Sequence, residues 1–460
     1  MHTANTAVTL TAPPSKSLSH RYLTGAALAR GVSQVRHALD SADIARTRAV
    51  LCAAGARMRP LPDNDGWEVT GMDDGPRGSA DPARPVSCDV GESGTTCRLL
   101  TAVLAAGQGF FRIHGAQRMH ERPIGELTSA LVRLGAGPSF EQTCGCPPLL
   151  LHACGLEPAL CGGRLLLGMD DSSQYFSGLL LAAPLALGRL SLELAGSKVV
   201  SWPYVGLTLQ CLTDFDIGFH VETRPDAQQP WQTLPDDAWR SLTSAQPDCL
   251  RVLMQPGPYR AGIHTVEGDW SGAACLLAAG AVGRSPVCVT GLRADSLQGD
   301  RALLAVLRNM DARCLITRDA VTVYPSPLRG IEIDMGDCPD LVPAVAALAA
   351  FAHGDTRIRN VAHLKIKESD RISAPAAEMR KCGVEVEEFG DGLLVRGLGP
   401  ARPRLPEETV LCAHNDHRIA MSLALLGLGA GCARMQTRLD DPAVVGKSFP
   451  EFWDVWSKLS

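Results

Sequence analysis

Three short phrases gather cations, hydroxyls and carboxylates in patterns suited to holding anions: SKSLSHR at 15–21, KESDR at 367–371 and NDHR at 415–418. The first and third stand directly before apolar stretches, YLTGAALA and IAMSLALLGLG. A Ser, Asp or Asn in that position is an ordinary helix N-cap, which accounts for one such residue in each phrase. It does not account for Lys16, Arg21 and Arg418, nor for Arg98 in ESGTTCR. A cation near a helix start opposes the macrodipole. An anion seated between the cations and the free N–H groups removes that conflict. Ser17 and Arg21, four apart, share one helix face. Capping and anion binding thus compete as readings, and the recurrence of cations favours the second.

Other phrases have a bland reading beside a sharp one. Arg122, in HERPIGEL, precedes a Pro suited to the first turn of a following helix; alone it reads as a surface arginine. In VAHLKIKESDRISA at 361–374, a strand over VAHLKIK turns His363, Lys365 and Lys367 to one side and Leu364 and Ile366 to the other. A helix beginning near Ser369 then places Arg371 in its first turn, close to Lys367 and Glu368. The competing reading is a solvated ionic edge worth ~0–1 kcal/mol. AHNDHR holds two His three apart without a third ligand nearby, so Asp416 as a cap, with Arg418 reaching an anion, is simpler than zinc. VGKSFPEF contains GKS, but Asp441 stands where a P-loop needs Gly, which leaves Lys447 as a lone cation. GESGT is no GxSxG elbow, because Gly94 directly follows Ser93. Its glycines suit close backbone approach to a ligand.

These residues need elements to hold them. Polar phrases beginning near 15, 92, 171, 269, 338 and 415 each precede an Ala/Leu-rich helix, and near-regular spacing implies repeated units. Helices apolar nearly all round must be covered on every side. Between them, IGELTSALVRLGAG and SAPAAEMRKCG read as amphipathic helices stopped by Gly, and VEVEE alternates like a strand. Six units suggest two domains of three, with the buried helices clustered inside each. The Pro-, Asp- and Gln-rich segment 222–250 is the expected boundary.

Composition agrees. The 460 residues suggest two to four domains of ~100–200 residues. With 45% hydrophobic and 20% charged residues and a net charge of −5, a large core is expected, and nucleic-acid binding through bulk charge is excluded. No secretory leader is visible in MHTANTAVTLTAPP, and the longest apolar stretches fall short of the ~20 residues of a membrane span. The 16 Cys are scattered, with only CGC at 144–146 close together, as expected of free thiols in a reducing cytoplasm.

Taken in order, SKSLSHR, ERPI, SSQ, KESDR and NDHR make the chain resemble the EPSP synthase family over residues 13–453. The resemblance implies an α/β fold, a two-domain inside-out α/β prism with three βαβαββ units around buried helices in each domain. It groups 1–14 with 247–460 as the phosphoenolpyruvate-side domain and 15–246 as the shikimate-3-phosphate-side domain, with the active site in the interdomain cleft. The implied reaction moves the enolpyruvyl group of phosphoenolpyruvate to the 5-hydroxyl of shikimate 3-phosphate by addition–elimination, with no metal and no organic cofactor. Its partners are those two small molecules, not nucleic acid or a membrane, and a cytoplasmic monomer is expected.

By the same resemblance, shikimate 3-phosphate falls to Lys16, Ser17, Arg21, Ser172, Ser173, Gln174, Ser201, Tyr204, Asp340, His363 and Lys367. Phosphoenolpyruvate falls to Lys16, Gly94, Arg122, Gln174, Arg371, Arg418 and Lys447. Asp340 and Glu368 are the carboxyl pair for proton transfer, assisted by Lys16. Glu368, beside Lys367 and Arg371, should be held ionised, whereas an acid must first carry a proton. Glu92-Ser93-Gly94-Thr95 stands where the family usually has Asn-Ala-Gly-Thr, so Glu92 places a carboxylate near an anion seat. Gly94 leaves room for glyphosate. The alternatives are a UDP-amino-sugar enolpyruvyl transferase and a non-catalytic anion-binding relative.

Overall fold

Six helices carry the apolar stretches, five of them beginning inside the polar phrases expected to precede them: Lys16–Leu28, Gly94–Ala105, Gln174–Ala182, Trp270–Val282 and His417–Gly429, with Val342–Ala349 the sixth. In Trp270–Val282 every residue except Ser271 is buried, so no face is left for water. The computed structural model describes residues 6–429 and 435–459; the first five residues of the stretch read for a leader lie outside them.

The chain divides into two compact units, Met1–Ser15 with Glu267–Ser460, and Lys16–Val266. In the central unit the helices starting at Lys16, Gly94 and Gln174 pack together, under sheets built on one plan. A strand leads into the buried helix and the strand after it pairs in parallel with the first: Val86–Asp89 with Gln108–His114, and Arg164–Met169 with Leu190–Val199. Antiparallel strands complete each sheet. A parallel pair needs a crossover, and here the buried helix supplies it. In the other unit the strands Val8–Thr11 and Val287–Thr290, then Glu332–Asp334 and Arg357–Arg359 of His353–Arg359, form the corresponding parallel pairs. The third repeat there contributes the helix His417–Gly429 and, among the described residues, one isolated bridge, Leu411 to Leu439.

The boundary differs from expectation. Residues 247–266 belong to the central unit, because Leu250–Met254 is an inner strand between Leu190–Val199 and Phe219–Thr223. Ile263–Thr265 pairs in parallel with Gln34–Arg36 and completes the first sheet. The polar segment 222–250 is therefore an excursion between two strands of one sheet. Its composition reflects exposure, which a linker shares.

Three local expectations are also corrected. Ala362–Ile366 is a 3-10 turn, not a strand; His363 and Leu364 are both buried, and Lys365 is exposed. The next helix is Ser373–Lys381, so Arg371 precedes it and is not in its first turn. Likewise Pro123 lies two residues ahead of the helix Gly125–Arg133, whose start is Ile124.

Candidate active site

In the central unit the helix Gly94–Ala105 is capped as expected, and its first turn is joined to neighbouring helices. Ser93 Oγ accepts from Thr96 N at 3.2 Å and from Thr96 Oγ1 at 2.8 Å. Thr96 Oγ1 meets Thr47 Oγ1 at 2.7 Å, and Thr47 Oγ1 meets His20 Nδ1 at the same distance. Burial first, then the charges of Lys16 and Arg21, hold His20 well below the usual histidine range, so it is neutral. Lys16 Nζ pairs with Asp43 Oδ2 at 2.6 Å.

Arg21, 1% exposed, is committed to protein groups. Its Nε donates to Thr208 Oγ1 at 2.8 Å, Nη1 to Ser17 O at 2.8 Å, and Nη2 to Tyr204 O at 2.9 Å. Burial lowers its pKa to about 10, still fully charged near neutrality. The guanidinium therefore brings Ser17 and Tyr204 together, and Ser201, which opens the helix Trp202–Asp214 in a left-handed conformation (φ 58°), lies three residues before Tyr204.

A second knot ties Gln174 to Arg98, read from ESGTTCR, and Arg122, read from HERPIGEL, lies against the start of the same helix Gly94–Ala105. Arg98 Nη1 donates to Gln174 Oε1 at 3.0 Å, and its Nη2 to Pro123 O at 3.1 Å. Gln174 Nε2 donates to Thr95 Oγ1 at 2.8 Å, and Gln174 N to Ser172 Oγ at 3.2 Å. Ser173 precedes the helix as its buried N-cap residue. Arg122, 4% exposed, donates from Nη1 to the backbone oxygen of Glu92 at 2.9 Å. A Cβ on Gly94 would lie 2.4 Å from Arg122 Nη2. Glycine is thus what lets the guanidinium lie against the start of the helix Gly94–Ala105.

In the other unit the densest ionic phrase and NDHR meet. Arg371, 2% exposed, donates from Nε to Asp416 Oδ2 at 2.7 Å, from Nη2 to Asp416 Oδ1 at 3.1 Å and from Nη1 to Asp340 Oδ1 at 2.8 Å. Its Nη2 is also 2.9 Å from Glu368 Oε2. Burial opposes its charge, but Asp416, Glu368 and Asp340 together raise its pKa above that of an ordinary arginine. Arg418 Nη2 takes the other oxygen of Asp340 at 2.8 Å. Burial would raise the proton affinity of Asp340; Arg418, Arg371 and Lys367 outweigh it and hold the carboxyl well below the usual range. Asp416 also caps its helix, accepting from Arg418 N at 2.9 Å. His414 and Asn415, both near φ 52°, form the turn before it, and Asn415 accepts Lys447 Nζ through its backbone oxygen at 2.7 Å and its side chain at 3.0 Å.

Lys16, Ser17, Arg21, Gly94, Arg122, Ser172, Ser173, Gln174, Ser201 and Tyr204 thus fall in the central unit. Asp340, His363, Lys367, Glu368, Arg371, Arg418 and Lys447 fall in the other, where contacts join Asp340, Glu368, Arg371 and Arg418. Asp43, Thr95 and Asp300 were not singled out from the sequence. Asp43 lies 27 positions from its partner Lys16, inside an ordinary-looking helix start, so no local pattern points to it. Among the described residues no group of three His, Cys, Asp or Glu side chains is placed to hold a metal.

Arg371, Arg418 and Lys447 in one unit, and the cations, hydroxyls and amide near helix starts in the other, are each of the chemistry that holds small anions. The family model described as EPSP synthase (3-phosphoshikimate 1-carboxyvinyltransferase) matches residues 2–240 and 243–456, and the chain belongs to that family. It is 38% identical over 458 residues to a protein of Syntrophobacter fumaroxidans named 3-phosphoshikimate 1-carboxyvinyltransferase, covering 98% of this chain and 96% of that one. A protein of the same name from Thiobacillus denitrificans is 37% identical over 462 residues, covering 98% of this chain and 96% of that one. Among solved structures, an EPSP synthase from Acinetobacter baumannii superposes with a TM-score of 0.71 at 23% identity, covering 99% of this chain and 96% of that one. At that identity the likeness speaks to the fold, the two-domain α/β architecture.

Proposed function

We propose that this chain is a 3-phosphoshikimate 1-carboxyvinyltransferase, transferring the enolpyruvyl group of phosphoenolpyruvate to the 5-hydroxyl of shikimate 3-phosphate, a step of the shikimate route to chorismate. Asp340 takes the proton of the 5-hydroxyl as that oxygen attacks C2 of phosphoenolpyruvate, and Glu368, with Lys16, delivers a proton to the methylene carbon. Loss of phosphate then restores the double bond and returns the carbon-bound proton. Lys16, Ser17, Arg21, Ser172, Ser173, Gln174, Ser201, Tyr204, His363 and Lys367 are assigned to shikimate 3-phosphate. Gly94, Arg122, Arg371, Arg418 and Lys447 are assigned with Lys16 and Gln174 to phosphoenolpyruvate.

The observation that carries the mechanism is the two-armed hold on Asp340, 2.8 Å from both Arg371 and Arg418. A carboxylate so held is ionised but a weak base. When an anionic substrate takes over these guanidinium hydrogen bonds, Asp340 loses its stabilising cations and its proton affinity rises. Binding thereby prepares the base. Lys367 contributes to the same field. Glu368 must acquire a proton while Arg371 Nη2 is 2.9 Å away, and the same exchange of partners favours that.

The test is phosphate release on mixing the protein with phosphoenolpyruvate and either shikimate 3-phosphate or a UDP-amino sugar. Turnover with the first alone supports the assignment, and turnover with the second alone transfers it to the sister reaction. Binding without turnover assigns a non-catalytic relative. A cytoplasmic monomer acting on small molecules fits this reading; every Cys among the described residues is a free thiol, and no described helix is long and apolar enough to cross a membrane.

A further inference from the structure

We propose that Asp300, buried in the 3-10 turn Gly299–Ala302, is the proton-holding partner of Asp340: it keeps a proton so that Asp340 can stay ionised, and through that balance it tunes Asp340 as a base. The inference rests on the assignment of Asp340 above. Asp300 would be a positioning residue, acting through Asp340 rather than on substrate.

The geometry separates the two carboxyls. Asp340 accepts a guanidinium hydrogen bond on each oxygen. Asp300 is 1% exposed, and its Oδ2 meets only the hydroxyl of Ser271, the one residue of Trp270–Val282 that is not buried. Its Oδ1 has no hydrogen-bond partner. Among the described residues no cation hydrogen-bonds Asp300. A buried carboxylate with one hydroxyl for company is costly, whereas the neutral acid is not. When two carboxyls interact within one buried cluster, the proton goes to the member that cations do not hold.

The turn is also held firmly. Gln298 Oε1 accepts from Trp270 N at 3.1 Å, and Nε2 donates to Gly268 O at 2.8 Å and Glu267 Oε1 at 2.9 Å. Asp300 is thus fastened against the start of the helix that supplies Ser271. The charged groups facing it are Asp340 from the turn Pro339–Leu341, Arg418 from the helix His417–Gly429 and Asp269 from the cap of Trp270–Val282, with the Cys338 thiol also nearby. Burial first and Asp340 second push the Asp300 carboxyl up to about 7, against the weaker pull of Arg418 and the Ser271 hydroxyl. Burial and the surrounding carboxylates push the Cys338 thiol above its usual range, which removes it from titration near neutrality.

A proton held to about pH 7 in the folded state but lost near 4 in the unfolded chain means that stability falls as pH rises across that window. Above the window, ionised Asp300 adds a negative charge beside groups assigned to anionic substrates, so kcat/KM should fall. The test compares wild type, Asp300→Asn and Ser271→Ala in Tm without substrate and in kcat/KM from pH 5 to 9. The Tm of Asp300→Asn relative to wild type should increase between pH 5 and 8, and its kcat/KM should lack the wild-type decline near pH 7, a difference of about tenfold at pH 8. Ser271→Ala, which loses the donor to the ionised form, should move the decline to higher pH and keeps the test open if Asp300→Asn does not fold. A Tm difference independent of pH, or a decline unmoved in both variants, overturns the proposal. Asp340→Asn separates the two claims: wild-type turnover in that variant defeats the base assignment itself, whereas an inactive Asp340→Asn with unmoved profiles in the other two defeats only the role of Asp300.

Discussion

Arg418 and Asp340 meet at 2.8 Å through Nη2 and Oδ2, and this contact leaves Oδ1 of the same carboxylate to Arg371. Arg371 gives Nη1 to Asp340 and turns Nε and Nη2 to Asp416. Asp340→Asn should lower kcat by about 10²–10⁴-fold, the range of general-base catalysis, with equilibrium binding of shikimate 3-phosphate largely kept. Because cations depress the proton affinity of Asp340, its stabilising contribution is present above the ordinary Asp range near pH 4 and is lost as pH falls below it. The Tm advantage of wild type over the variant should therefore shrink only in acid. Equal losses in kcat and in binding would count against a role confined to chemistry.

Arg371→Ala is a different kind of loss. Asp416, wholly buried, would lose the guanidinium that takes both its oxygens. Breaking such a pair from one side costs about 3–5 kcal/mol, so the denaturation midpoint should drop sharply and activity should fall with it. Arg371→Lys should recover only part of that stability, since one ammonium cannot reproduce the planar fork that spans Asp416 and Asp340. A midpoint unchanged in Arg371→Ala would show that the buried charges find other partners.

Gly94→Ala introduces a methyl 2.4 Å from Arg122 Nη2 and 2.7 Å from its Cζ. The guanidinium must shift and stretch its bond to Glu92 O. KM for phosphoenolpyruvate should rise by about tenfold or more, the equivalent of one charge-assisted hydrogen bond, with KM for shikimate 3-phosphate little changed. Because glycine at 94 lets Arg122 keep its place at the assigned phosphoenolpyruvate seat, wild type should be inhibited by glyphosate, and a flat inhibition curve at millimolar glyphosate would contradict that expectation.

The helix starts were legible because capping is local: Ser93 and Asp269 accept from the third residue onward, as their position before an apolar run implies. The boundary was not, because Pro, Asp and Gln mark any exposed excursion, and only the pairing of Leu250–Met254 with strands on both sides assigns it. VAHLKIK alternates like a strand, but burial of both His363 and Leu364 requires a tighter turn that brings neighbouring side chains inward together. Arg21, Arg122, Arg371 and Arg418 were visible as cations, yet apart from Ser17 and Glu368 their carboxylate, hydroxyl and carbonyl partners come from distant segments. Asp300 lies in QGDR, which by sequence resembles any exposed turn; its burial follows only from tertiary packing.

Glu92 offers a test of electrostatics apart from geometry. Arg122 reaches the backbone oxygen of Glu92, a contact that replacing the side chain leaves in place. Glu92→Asn therefore removes one negative charge near the helix start Gly94–Ala105 without removing the arginine's hydrogen bond. At separations of ~6–8 Å and an effective dielectric of ~40–80, that charge costs a bound anion about 0.5–1.4 kcal/mol. The variant should bind phosphoenolpyruvate about two- to tenfold more tightly, with kcat nearly constant. The gain should shrink between 0.01 and 0.5 M salt as screening shortens the reach of the carboxylate. If KM instead rises in Glu92→Asn, the side chain serves to hold the cations in place, and its net effect on the anion seat is favourable rather than repulsive.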